Sequence, residues 1–229
     1  MTHPSNRPYR RPQPSRSTRR INARARVSGR GMIPCLLPSW DGPRRVVCES
    51  ILEMKVLYLL LARPDIWDLW EQPERIRYFD ADSNAKSAVF DFLVTLRCGL
   101  KIAVAVKPAA IVEKSGFRQE LELIRTATPL AFADDVALVT DRSFAPADAR
   151  NAERLHEFRR VPDEEADQVI LRLLQDLQSI TTIAELVTLS GLDGRGFRAA
   201  FRAIYSGGAK LVTAGDIAPK SQIMAGGAQ

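Results

Sequence analysis

The chain has 229 residues, 45% of them apolar, and 33 Lys and Arg against 27 Asp and Glu give it a formal charge of +6. That length allows one large domain or two small ones with a sizeable core. No apolar run approaches the ~18 residues of a membrane span, and residues 1–30 lack the apolar stretch of an export signal. A protein of the cytoplasm, away from membranes, is expected.

The charge is unevenly spread. Residues 1–30 hold nine arginines and no acid, so residues 31–229 sum to −3. An Arg-, Pro- and Ser-rich segment with few apolar residues should be disordered alone. It would bind polyanions by releasing their counterions, without reading sequence; Arg19 and Arg20 are its nearest arginines to the folded region. Cys35, Cys48 and Cys98 are far apart, form no CxxC pair and suit a reducing compartment as apolar core filler. With only His3 and His156 available, neither a zinc site nor a serine triad has support. Any chemistry must then come from carboxylates, lysine and an external metal.

After residues 31–47, with three prolines and a short Val46-Val47 strand, comes Glu49 to Arg63. It has no Gly or Pro, and Leu52, Val56, Leu59 and Leu60 recur at helical spacing; Pro64 stops it. Residues 66–72 and 76–80 read as strands around Pro73, and 82–87 as a polar turn. Residues 88–97 and 101–107 read as a β-hairpin about Arg97-Cys98-Gly99-Leu100. Residues 116–128 form a helix with Phe117, Leu121 and Ile124 on one face, and 136–140 a buried strand. The order predicts an α/β core with a mixed sheet between helices over about 31–142.

Beyond it, 146–178 reads as helix broken near Val161-Pro162. Thr182-x-x-Glu185 is a capping box opening a helix to Ser190, and a turn at 191–194 leads to a helix from Arg195 to Tyr205. Gly207-Gly208 precedes a possible β-wing at 209–213. Residues 143–218 thus form a second, helical domain, with 219–229 as a flexible tail. In the last helix Phe197, Phe201 and Ile204 should face the core, while Arg195, Arg198 and Arg202 line another face. With Lys210 in the wing, these would suit a recognition helix in a major groove.

The hairpin carries the sharpest functional signal. Asp91 ends one apolar run, and Lys107 ends the next, sixteen residues later. Paired strands would set a carboxylate beside an ammonium group. A hard cation such as magnesium needs only one or two carboxylates plus water, and a nearby lysine can orient water and stabilise developing charge. Glu53, with Glu49 one turn earlier, could add carboxylates from the long helix.

These pieces resemble a known family. Glu49-Ser50-x-Leu52-Glu53, Glu71-Gln72-Pro73, Phe90-Asp91-Phe92-Leu93-Val94 and Val106-Lys107-Pro108-Ala109-Ala110 stand in the order, and Glu53 and Glu71 at the spacing, of the TnsA-type endonucleases of heteromeric transposases, members of the restriction-endonuclease-like superfamily. The likeness extends to about residue 142. The resemblance implies a restriction-endonuclease-like fold at 31–142 and a winged-helix-like domain at 143–218 that docks on an ATPase regulator. It implies Glu53, Asp91 and Lys107 as the catalytic trio, with Mg2+ or Mn2+ as cofactor. The expected activity is cleavage of the 5′ strands at transposon ends in double-stranded DNA, a separate partner transposase acting on the 3′ ends. Two positions depart from the pattern. Phe90 replaces a proline or small polar residue, and Ala105 replaces an acid or glutamine whose side chain would reach the metal. The Val106 carbonyl and Glu49 are the candidates to compensate. A nuclease fold that binds DNA or partners without cutting, and a stand-alone restriction or repair nuclease, stay open alongside.

Overall fold

The computed structural model describes residues 10–19 and 29–226. The described residues form two compact units, one of residues 10–19, 29–60 and 65–144, the other of residues 61–64 and 145–226. Among the described residues no helix is long and apolar enough to cross a membrane.

The first unit is mixed α/β. Strands β1 (Gly31–Cys35) and β2 (Arg44–Cys48) form an antiparallel ribbon, and helix α1 (Ile51–Ala62) follows. Strand β3 (Ile66–Glu71) is an edge of a four-stranded sheet with β6 (Phe92–Leu96), β7 (Lys101–Val106) and β8 (Asp135–Val139), in the order β3-β6-β7-β8. The first two pairings are antiparallel and β7–β8 is parallel. A parallel pair needs a long crossover, here helices α2 (Ala109–Ser115) and α3 (Phe117–Ala127). Ala103, Ala105 and Val136 of the sheet pack with Phe117, Leu121 and Ile124 of α3 in an apolar core.

Several expectations are corrected in detail. α1 is apolar on nearly every side, so periodicity could not pick its inner face: Val56, Leu57 and Leu61 are buried, whereas Leu52, Leu59 and Leu60 are only half-buried. Residues 82–87 are not wholly turn. Strands β4 (Ile76–Phe79) and β5 (Ala85–Ala88) form a hairpin, and its turn closes on Asp80, whose carboxylate accepts from the Asp82 and Asn84 N–H groups at 3.0 and 2.8 Å. Cys35 and Cys48 are buried as expected, but Cys98 is exposed in the β6–β7 turn.

Disorder throughout 1–30 does not hold for residues 10–19, whose polar groups find fixed partners. The Gln13 N–H donates to the Pro43 carbonyl at 2.8 Å and its carbonyl accepts from the Arg45 N–H at 3.0 Å. Glu71, 0% exposed at the end of β3, accepts from the Ser15 hydroxyl and, at 3.1 Å, from the Arg16 N–H. The Arg16 guanidinium pairs with Asp68 at 2.8 Å, 5.8 Å from the ring centres of both Trp40 and Trp70.

The second unit contains helices α4 (Pro146–Arg159), α5 (Glu164–Gln175), α6 (Ile183–Ser190) and α7 (Asp193–Tyr205). Strands β9 (Thr181–Thr182), β10 (Ala209–Leu211) and β11 (Gln222–Ala225) form an antiparallel sheet in the order β10-β11-β9. The capping box is present: Thr182 Oγ1 accepts from the Glu185 N–H at 3.2 Å, and Glu185 Oε2 from the Thr182 N–H at 2.8 Å. Gly191 ends α6 at φ 65°, the left-handed region that glycine enters without a Cβ clash. Residues 219–229 are not simply a tail, because Ile223 of β11 is buried between two neighbouring strands.

Candidate active site

Glu53 stands in the first turn of α1, and its local partners follow from Ser50-x-x-Glu53. The Ser50 hydroxyl accepts from the Glu53 N–H at 3.1 Å and donates to Glu53 Oε1 at 2.8 Å. Glu53 Oε2 accepts from the Glu49 N–H at 2.7 Å. This is a capping arrangement that a search for helix-start signals at 49–53 would have found. It orients the carboxylate with neutral donors, so neither oxygen is consumed by a cation. Glu49 precedes the helix rather than occupying its first turn, a correction to the shared helical face expected for 49 and 53.

Asp91 sits just ahead of β6, fastened by its backbone. Its N–H donates to the Val104 carbonyl at 3.0 Å, and its carbonyl accepts from the Gln72 N–H at 2.9 Å. Gln72 has φ 42°, a left-handed conformation where the chain leaves β3. The Asp91 side chain turns to β7, where Oδ2 accepts the Val106 N–H at 2.6 Å. In an extended strand a residue's N–H and C=O leave on the same side, so the Val106 carbonyl is turned toward Asp91 as well. Lys107 ends β7. Its N–H donates to the Val139 carbonyl at 3.1 Å, and Pro108, which has no N–H to continue the ladder, turns the chain into α2. The Lys107 Nζ lies 4.3 Å from the Phe117 ring centre, a cation–π contact that ties the amine to α3.

The electrostatics show these groups acting on one another. Burial pushes the Asp91 carboxyl up from 3.8 to about 7. The Val106 N–H opposes that rise, Glu53 and Glu49 add to it by like-charge repulsion, and Lys107 draws it back. Glu53 is also raised, first by burial, against the Glu49 N–H and Ser50 hydroxyl; Glu49 raises it further and Arg19 lowers it. Three carboxylates and one lysine from α1's entry and the ends of β6 and β7 therefore share a neighbourhood, although they are 58 residues apart at the extremes of the sequence.

Ala105, two residues before Lys107, shares its side of the sheet. It is 6% exposed and lies in the apolar cluster with Phe117, Leu121 and Ile124. It offers no side-chain ligand, and a polar replacement there would have to turn out of that core or be buried in it.

Among the described residues no three His, Cys, Asp or Glu side chains stand together as a ready cation cage. The donor set is nevertheless of the kind a hard cation accepts: a buried carboxylate, Glu53, that raises the proton affinity of a second, half-buried one, Asp91, and a backbone carbonyl. Glu53, Asp91 and the Val106 carbonyl would hold the ion. Glu49 is committed differently, its Oε2 lying 3.1 Å from Arg19 Nη1.

The basic face expected on α7 is largely absorbed within the second unit. Arg195 makes a two-toothed pair with Asp163 at 2.7 and 2.8 Å and also contacts Glu165 at 2.6 Å. That pairing holds the Asp163 carboxyl down to about 2. Arg202, 12% exposed, pairs with Asp167 at 2.6 Å and donates to the Phe158 carbonyl at 3.3 Å. The correction has a simple cause. α5 opens on Asp163, Glu164, Glu165 and Asp167, and these acids neutralise the arginines of the helix packed beside it. Arg198 is partly exposed and Lys210 exposed, so two cations of the expected face remain at the surface. Arg20 lies outside the described residues.

Compared with known proteins, the chain matches no family model and no curated protein sequence.

Proposed function

We propose that the first unit is a divalent-cation-dependent DNA endonuclease of the restriction-endonuclease-like type. In this reading it is the TnsA-like subunit of a heteromeric transposase that cuts the 5′ strands at transposon ends. One observation supports it above the others: Asp91, where two paired strands end, is acted on electrostatically by both Glu53 and Lys107, which come from separate elements. A purely structural acid gains nothing from being half-buried beside two more acids.

Glu53 and Asp91 bind and orient the cation, with the Val106 carbonyl completing the protein's share. When bound, Mg2+ or Mn2+ supplies a Lewis acid for the phosphoryl oxygen and lowers the proton affinity of a coordinated water. The Val106 N–H fixes the Asp91 carboxylate through Oδ2, leaving Oδ1 for the ion. Lys107, steadied by the Phe117 ring, contributes positive charge where the phosphodiester becomes more negative. In the second unit, the helices with their three-stranded antiparallel sheet suit a winged-helix-like module that docks on an ATPase regulator. Arg198 and Lys210 are left for DNA, while Arg195 and Arg202 serve the fold.

A second reading, a DNA- or partner-binding regulator without cleavage, is favoured by one feature: Ala105 is committed to the core. Nicking of supercoiled plasmid in Mn2+, alone and beside a partner transposase, separates the two. Cleavage lost in Asp91→Ala and Lys107→Ala is expected; cleavage unchanged in both refutes the endonuclease reading. Mn2+ binding without cleavage under every condition leaves the regulator.

A further inference from the structure

Residues 10–19 cross the first unit as a strap with several independent anchors. Gln13 adds to the edge of β2 through two backbone hydrogen bonds. Ser15 and Arg16 close on Glu71, whose carboxylate is wholly buried. The Trp70 Nε1–H donates to the Arg16 carbonyl at 2.7 Å. The Thr18 N–H donates to the Gln72 carbonyl at 3.1 Å, and the Ser17 hydroxyl to Gln72 Oε1 at 2.8 Å. Removing the strap would strand a buried carboxylate without its donors, which costs far more than an exposed contact, so the strap is a fixed part of the unit. The same Gln72 that receives it holds the Asp91 carbonyl. The strap therefore ends beside the candidate site, and its last anchored residue, Arg19, pairs with Glu49 at 3.1 Å while remaining 59% exposed.

Two properties of Arg19 bear on function. Its guanidinium faces solvent, where a phosphate can reach it, and a guanidinium binds phosphate through paired N–H donors in a geometry suited to it. Its present partner, Glu49, is a carboxylate close enough to act on Asp91 and could offset the ligand lost at Ala105. We propose that Arg19 is an exchangeable counter-ion that couples DNA binding to cation binding. In the DNA-free protein it neutralises Glu49; a backbone phosphate of bound duplex draws the guanidinium away, and Glu49 turns to the cation beside Glu53 and Asp91. The coupling is reciprocal, so cation binding also favours release of Arg19 to the phosphate. The inference rests on the cation-site reading given above and adds to it a reason for the site to be weak until substrate arrives.

The test is calorimetric titration of Mn2+ into the DNA-free full chain at low salt, for wild type, Arg19→Ala, Glu49→Gln, the double variant and Asp91→Asn. Arg19→Ala should bind Mn2+ about two- to five-fold more tightly, the range an exposed ion pair supplies. That gain should vanish in the double variant. In EDTA, Arg19→Ala should also bind a short duplex more weakly by fluorescence anisotropy. Mn2+ affinity unaltered or reduced in Arg19→Ala, with Asp91→Asn abolishing binding, overturns the coupling and leaves the cation site standing. Mn2+ binding that survives Asp91→Asn unchanged overturns both.

Discussion

Replacing Asp91 with asparagine should stabilise the first unit in metal-free buffer at pH 8, even though it removes a proposed ligand. Burial and the neighbouring Glu53 and Glu49 raise the Asp91 carboxyl from 3.8 to about 7. An acid raised in the folded state contributes stability that is fully present below its unfolded value and is lost as pH rises through the folded value. Wild type therefore loses stability between about pH 4 and pH 7. Moving one carboxyl over that interval corresponds to at most about 4 kcal/mol, and to about 2 kcal/mol once solvent relaxation at a half-buried position is allowed for. Asparagine keeps an oxygen to accept the Val106 N–H, so that hydrogen bond survives. The readout is specific because the chain's three tryptophans, Trp40, Trp67 and Trp70, all lie in the first unit; their fluorescence follows its unfolding alone. In EDTA at pH 8, Asp91→Asn should raise the midpoint by about 5–10 °C, with the advantage gone by pH 4. Adding Mn2+ should stabilise wild type and leave the variant unmoved. A variant less stable than wild type at pH 8 and equally so at pH 4 would refute the reasoning, since it would show the carboxylate satisfied rather than strained by its surroundings.

Three further outcomes follow from the same geometry. Glu71→Ala should destabilise the first unit by about 2–3 kcal/mol in urea unfolding, because it strips the acceptor from Ser15 and the Arg16 N–H, and limited trypsin digestion should then cut at Arg16 and Arg19. Arg202→Ala should lower the stability of the second unit by about 2 kcal/mol through loss of the Asp167 pair, while leaving the salt dependence of DNA binding by the chain unaltered; Arg198→Ala should do the reverse. A thiol reagent at pH 8 should titrate one cysteine of the three in the native protein, Cys98. Burial raises the Cys35 thiol to about 12 and holds Cys48 higher still, and the remaining two should react only on unfolding.

Local rules in the chain were readable where one segment suffices to state them. The capping box at Thr182, the stop at Pro64 and the apolar face of α3 all depend on neighbours in sequence, and each stands at or within a residue or two of its expected place; the hairpin joining Asp91 to Lys107 is present too, but its first strand begins at Phe92 rather than at 88. Even the missed cap at Ser50-x-x-Glu53 was available as a local pattern. β11 was not, because Gln222–Ala225 is a strand only by virtue of the two strands it pairs with.

What the sequence by itself determined was an inventory: a basic N-terminal segment, an α/β core, a helical second unit and a short set of acids and lysine without histidine or cysteine chemistry to rival them. Only the tertiary structure decided which charges are free. Arg195 and Arg202 looked like a surface stripe until α5 brought three acids against them. Residues 10–19 looked unstructured until Glu71 and Gln72 supplied their partners. Ala105 looked like an isolated departure until the core showed what it packs against. The reason is the same in each case. A charge's role is set by the partners within a few ångströms and by the dielectric around it, and those are properties of the packed chain rather than of any segment of it.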